Sequence, residues 1–168
     1  FKALAGIEKS GLHAFASEDG IHWRKLQDGP VLTKGAFDSQ NVAFWSEAEQ
    51  VYVCYFRTWS QGGFEGFRSV SRATSPDFVV WSEPAPMQFG DAPGEHIYTN
   101  QTRPYFRAPH LYIATAARFM PGRRVVSVEA AEALGGEADY SGDCSDTVLL
   151  TSRGENRYDR TFMEGFVR

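Results

Sequence analysis

The chain has 168 residues, with 17 Lys plus Arg against 21 Asp plus Glu and a formal net charge of −4. Charge this close to balance, with no basic run, speaks against a nucleic-acid partner. No apolar stretch is long enough to span a bilayer, so a membrane partner is not expected either.

Aromatic residues make up 14% of the chain and there are 16 glycines, a mixture that suits short strands joined by tight turns. Residues 12–26 read as the last two strands of an antiparallel sheet. Four strands then follow in succession: 41–46, 51–59 (dense in aromatic and β-branched residues), 67–74 and 79–82, with Pro84-Ala85-Pro86 as the stop. A second set of four comprises 100–106, 110–119, 146–152 and a short piece near Tyr158. Between its second and third strands lies 127–134, a Ser-capped, alanine-rich helical insertion stopped by Gly135-Gly136. Residues 162–168 resemble the first strand of a later set.

One phrase recurs. Ser17-Glu18-Asp19-Gly20-Ile21-His22-Trp23 is followed by Ser75-Pro76-Asp77-Phe78-Val79-Val80-Trp81, 58 residues on. A weaker copy, Thr151-Ser152-Arg153-Gly154 with Tyr158 beyond it, follows after a further 77 residues, counted from serine to serine. Repetition of a hairpin unit at this period predicts an all-β chain built as part of a β-propeller of four-stranded antiparallel blades. The expected division is 1–30 (end of a blade), 37–86 (a blade), 98–160 (a blade with the helical insertion) and 162–168 (start of another). About two whole blades are too few to close a ring, so the sequence reads as a fragment of a longer protein. It opens at Phe1 rather than Met, which leaves localisation open; a bacterial periplasmic or secreted setting is compatible with it.

Each candidate inner strand is introduced by a polar cluster: Phe37-Asp38-Ser39-Gln40-Asn41, then Tyr98-Thr99-Asn100-Gln101-Thr102-Arg103, then Phe162-Met163-Glu164. Asp38 to Gln101 and Gln101 to Glu164 are each 63 residues. Polar groups at equivalent ends of successive inner strands would converge on one axial pocket. A carboxylate facing a carboxylic acid there is what glycoside hydrolysis needs. Asp38 and Glu164 are the candidates. The alternative is that Asp38 only caps a turn and Glu164 is only solvated.

The Ser-x-Asp-Gly-x-x-Trp phrase resembles the Asp-box turn of sialidase-like propellers, where its role is structural. With Phe37-Asp38-Ser39-Gln40-Asn41, the run from Arg103 to His110 and the segment from Arg160 to Glu164, it is similar to the five-bladed propeller glycoside hydrolases of the family 32 and family 43 type. The resemblance implies a five-bladed propeller acting on carbohydrate without a cofactor, with three acids from successive blades. Asp38 takes the place of the nucleophile or base and Glu164 that of the proton donor. At the second position Asn100-Gln101 stands where an Asp is expected, leaving Asp146 as the substitute.

Sugar-orienting groups are expected from Gln40, Asn41, Arg68, Asn100, Gln101, Arg103, Arg107 and His110, because arginine forks and amides bind hydroxyls and carboxylates. Trp45 offers a ring on which a sugar face can stack, or else packs between blades. A sialidase-type enzyme, with Tyr98 or Tyr105 as nucleophile, and a sugar-binding propeller without turnover are the competing readings. Cys54, inside a strand, reads as a buried thiol. The four histidines have no zinc-ligand spacing, and the acidic run 139–146 lacks the calcium-loop pattern, so no metal is expected.

Overall fold

A computed structural model describes residues 1–7, 9–137, 142–160 and 163–168. Three antiparallel sheets follow one another along the chain. The first contains β1 (Lys2–Ile7), β2 (Gly11–Ala16) and β3 (Arg24–Lys25), in that order. The second runs β4 (Val42–Ser46), β5 (Val51–Trp59), β6 (Arg68–Ser75) and β7 (Ala85–Pro86). In the third, β10 (Ala108–Met120) is flanked by β11 (Cys144–Ser152) on one side and by β8 (His96–Asn100) and β9 (Arg103–Tyr105) on the other.

β5 explains how the sheets stack. Residues 53–57 are all buried, which a strand with one wet face would not show. Side chains alternate across a strand, so the run divides between two cores. Val53 and Tyr55 join Val70, Ile97, Ala114 and Val148 between the second and third sheets. Cys54 and Phe56 join Leu12, Leu32, Phe37 and Ala73 between the first and second. The second sheet is therefore the middle layer. Ala114 and Ala116 on β10, fully buried, let the third sheet approach closely. The free Cys54 thiol lies inside this layer, and burial alone pushes its pKa upward.

Several expected elements fall elsewhere. β1 was not foreseen, so the first sheet has three strands rather than two. Residues 79–82 are not a strand. The Asp77 carboxylate accepts the backbone N–H groups of Val79 and Val80, each at 2.8 Å, and folds them into the turn. The fourth strand is instead β7, which contains Pro86; proline is tolerated there because an edge strand can do without one N–H. In the third sheet the first strand starts earlier than 100 and is broken. β8 and β9 line the same side of β10, interrupted at 101–102, where the Thr102 hydroxyl donates to Asn100 Oδ1 (2.9 Å). A fourth strand near Tyr158 is reduced to a bridge between Thr151 and Asp159 and another between Gln88 and Arg157. Of 162–168, the described part lies along β11, with Val167 bridging Thr147; Phe162 is outside the described residues.

The helix forms where expected. α1 (Val128–Ala133) is capped by Ser127, whose side chain accepts from the Ala130 N–H, and it ends at Leu134 before Gly135. The two complete box turns match atom for atom. In each, the serine Oγ accepts the N–H three residues on, at 2.8 Å, and the Asp Oδ1 accepts the next two N–H groups. The indole N–H of Trp23 or Trp81 closes each turn on a carbonyl at 3.1 Å.

Candidate functional site

Antiparallel order gathers the starts of β4, β6, β8 and β11 and the ends of β5 and β10 at one end of the sheets. Asp38 belongs to this end. Its loop is anchored by Phe37, which is buried with its ring centroid 5.3 Å from that of Phe56. Asn41 ties the loop further, its amide donating to the Phe37 and Ser39 carbonyls at 3.2 Å. The expected sugar-orienting role of Asn41 thus gives way to a loop-fixing one, while Gln40 is exposed beside it.

The Asp38 carboxylate is 42% exposed and pairs with Arg57, whose side chain is only 6% exposed. Arg57 in turn has its guanidinium carbon 4.9 Å from the centroid of the Tyr98 ring. Tyr98 sits at the β-bulge where β8 slips register against Ala117 and Arg118, which directs its ring toward these groups rather than into the ladder. Arg68 opens β6 on the same side, with its guanidinium carbon 5.5 Å from the Tyr98 ring, 5.0 Å from Trp59 and 4.9 Å from Phe119. Its backbone N–H donates to His96 Nδ1 at 3.0 Å. Burial, and then the Arg68 charge, hold the His96 pKa below its usual value, so the ring is neutral at pH 7 and presents Nε2–H as a donor.

A second charged group lies alongside on the third sheet. Arg118 on β10 donates to both oxygens of Asp146 on β11, to Glu95 just before β8 (3.0 Å) and to the Met163 carbonyl (2.8 Å). Arg160 takes the other Glu95 oxygen. The Arg118 hydrogen bonds hold the Asp146 carboxyl below the ordinary carboxylate range, against a smaller upward push from burial. Asp146 and Glu164 line one cavity of about 570 Å³. Gly165 is required there, because a Cβ would fall 2.6 Å from Asp146 Oδ2. Glu164 itself is 83% exposed and its partner is Arg168, at 3.4 Å.

The structure therefore brings Asp38, Arg68, Asp146 and Glu164 to one end. It takes the other candidates away from it. Arg103 pairs with Ile113, and Arg107 and His110 flank the start of β10. At ~3.4 Å per residue, Ile113 is roughly 17 Å and Ala108 roughly 34 Å along the strand from Arg118. Asn100 is buried within the strand path, Gln101 is the exposed break residue, and Trp45 packs on Tyr52 (4.8 Å) at the far end of β4. The physical reason is the early start of β8. The cluster 98–103 sits inside the strand path rather than at its entrance.

The true counterpart of Asp38 is Glu95. Continuing the β4–β5 register places Arg57 opposite position 40, two residues after Asp38; Arg118 faces Ile97, two residues after Glu95. Each middle strand thus carries an arginine that holds an acid from the entrance of its neighbour. Sequence reading missed this acid; the run Phe89-Gly90-Asp91, so like Phe37-Asp38, was the available signal of a strand entrance. At the opposite end of the sheets, a buried cluster ties the second to the third. The Tyr112 hydroxyl meets Ser46 Oγ (2.5 Å) and Glu49 (2.6 Å), and Arg72 also holds Glu49. Among the described residues no group of three or more His, Cys, Asp and Glu side chains is disposed to hold a metal ion.

No family model matches the sequence, and no curated protein matches it. Among solved structures, the crystal structure of an N-acetylgalactosamine deacetylase from F. plautii in complex with blood group B trisaccharide is similar in fold. The TM-score is 0.58 at 11% identity, over 94% of this chain and 46% of that one. The chain thus spans about half the length of the protein it matches.

Proposed function

We propose that the three sheets are successive blades of a β-propeller and that the end bearing Asp38 acts on carbohydrate, hydrolysing a glycosidic bond. The observation that carries this reading is the half-exposed Asp38 carboxylate, held on a buried arginine beside the exposed ring of Tyr98. Such a carboxylate has a fixed position and an open face. The fold shared with a carbohydrate-modifying enzyme supports the substrate class.

In this reading Asp38 attacks the anomeric carbon or takes a proton from the attacking water. Glu164 gives its proton to the leaving glycosidic oxygen as that bond breaks, and water supplies the hydroxyl of the new reducing end. Asp146 is unsuited to proton donation, because Arg118 favours its ionised form; it shapes the cavity that Glu164 lines. Arg57 holds Asp38 ionised and in place.

Asp38→Asn tests the assignment on a panel of aryl glycosides. The expected loss of turnover is on the order of 10³-fold or more, with an unchanged melting temperature. Near-wild-type turnover would remove Asp38 from the mechanism. A second reading, sugar binding without cleavage, is favoured by one observation: Asp38, Glu95 and Asp146 all face arginines, which suits holding hydroxyls better than passing protons. Saccharide binding by the wild type with no turnover of any glycoside would select it.

A further inference from the structure

Four arginines converge at the Asp38 end, and three of them are neutralised. Arg57 faces Asp38, Arg118 faces Asp146 and Glu95, and Arg160 faces Glu95. Arg68 has no carboxylate partner among the described residues. It lies instead among the rings of Trp59, Tyr98 and Phe119, with its Nε buried and unpartnered. Rings attract a cation but accept no conventional hydrogen bond from its fork. The guanidinium is therefore fixed in direction, stripped of part of its water, and left with donors to spend. Trp59 links it to a larger space. With Phe64, whose ring centroid lies 6.0 Å away, Trp59 lines a cavity of about 590 Å³ at the end of β5. Aromatic walls of this kind take the apolar face of a sugar ring.

We infer that Arg68 receives the carboxylate of an acidic saccharide, a hexuronic-acid unit whose ring stacks on Trp59 and Phe64. The inference deepens the carbohydrate reading and rests on it. A neutral sugar fills the aromatic wall but leaves the Arg68 charge uncompensated; a uronate does both. Asp38 and Glu95 do not oppose the ligand's charge, since each is already held by an arginine of its own.

The test is NMR titration of the full chain with matched pairs: methyl glucuronide against methyl glucoside, and methyl galacturonide against methyl galactoside. The acid of at least one pair binds about tenfold or more tightly than its neutral partner, a preference that Arg68→Met abolishes while neutral-sugar affinity is kept. Raising salt to about 0.3 M shrinks the wild-type preference, because the pair is partly solvated. That measurement needs no variant and decides the matter should Arg68→Met fail to fold. Equal affinity for acid and neutral sugars, or a preference indifferent to salt, overturns the inference and leaves the carbohydrate reading standing. Absence of binding by every sugar removes both.

Discussion

Phe78 occupies the position of the second box turn that Gly20 occupies in the first, and both have positive φ, 76° and 79°. A left-handed conformation costs a residue with a Cβ ~1–2 kcal/mol, where glycine is free to adopt it. The ring explains why phenylalanine is there. Phe78 is 2% exposed and packs edge-on to Tyr52 (5.0 Å) and Trp81 (5.5 Å). Removing a buried Phe ring costs about 3–5 kcal/mol, more than the strain it is made to bear. The two contributions separate if Phe78→Ala and Phe78→Gly are compared. Both lose the ring, and only Ala keeps the strained Cβ. Glycine also carries about 0.4–1 kcal/mol of extra unfolded-state freedom. The account predicts that both variants are less stable than wild type by about 2–5 kcal/mol, with Gly about 0.5–1 kcal/mol more stable than Ala. Urea denaturation followed by tryptophan fluorescence measures both differences. At an ordinary strand or helix position Ala beats Gly. If Ala were the more stable variant here by that usual margin, the claim that the turn is held by ring burial against backbone strain would be wrong.

Two further perturbations probe the polar framework. Tyr112→Phe deletes a hydroxyl shared by Ser46 and Glu49 in the buried seam between the second and third sheets, and a loss of about 2 kcal/mol is expected in the same denaturation experiment; an unchanged midpoint would show that the seam is not stabilised there. Asp146 gives a pH signature. Its carboxyl pKa is lowered in the folded state by Arg118, so the stability it contributes is fully present above the unfolded carboxylate value of about 3.9 and is lost as pH falls from there through the folded value. Asp146→Asn is therefore less stable than wild type at neutral pH, and the gap narrows on acidification below about pH 4; parallel melting curves at all pH values would contradict the assignment.

The parts of this fold legible in the sequence are those governed by short-range chemistry. The box turns are closed by bonds between residues two to four apart, and α1 by Ser127 and Gly135, so their spacing is enough. β5 was legible for a different reason: a nine-residue run with so many aromatic and β-branched side chains has no other place than a strand buried on both faces. The third sheet was not legible. Whether β8 begins at His96 or at Asn100 is decided by its pairing with Phe119, some 20 residues later, and Pro93-Gly94 in front of it looked like the end of the previous unit. That displacement moved the inferred second acid from Glu95 to Gln101, and with it Arg103, Arg107 and His110 to the wrong end. The 63-residue interval between Asp38 and Gln101 was a coincidence of numbering, whereas the interval from Asp38 to Glu95 follows the strands. The arginine that holds each acid was visible in β5 and β10 but had no partner until the register was known.

The central claim is that carbohydrate is handled at the end of the sheets where Asp38, Arg57 and Tyr98 meet. It is tested most directly by backbone amide chemical-shift mapping of the full chain during titration with a panel of oligosaccharides. The account predicts shifts clustered at 38–41, 57–60, 67–69 and 95–98, with those at 103–110 unmoved. Shifts concentrated at Arg103, Arg107 and His110, or an absence of shifts with every saccharide, would contradict it.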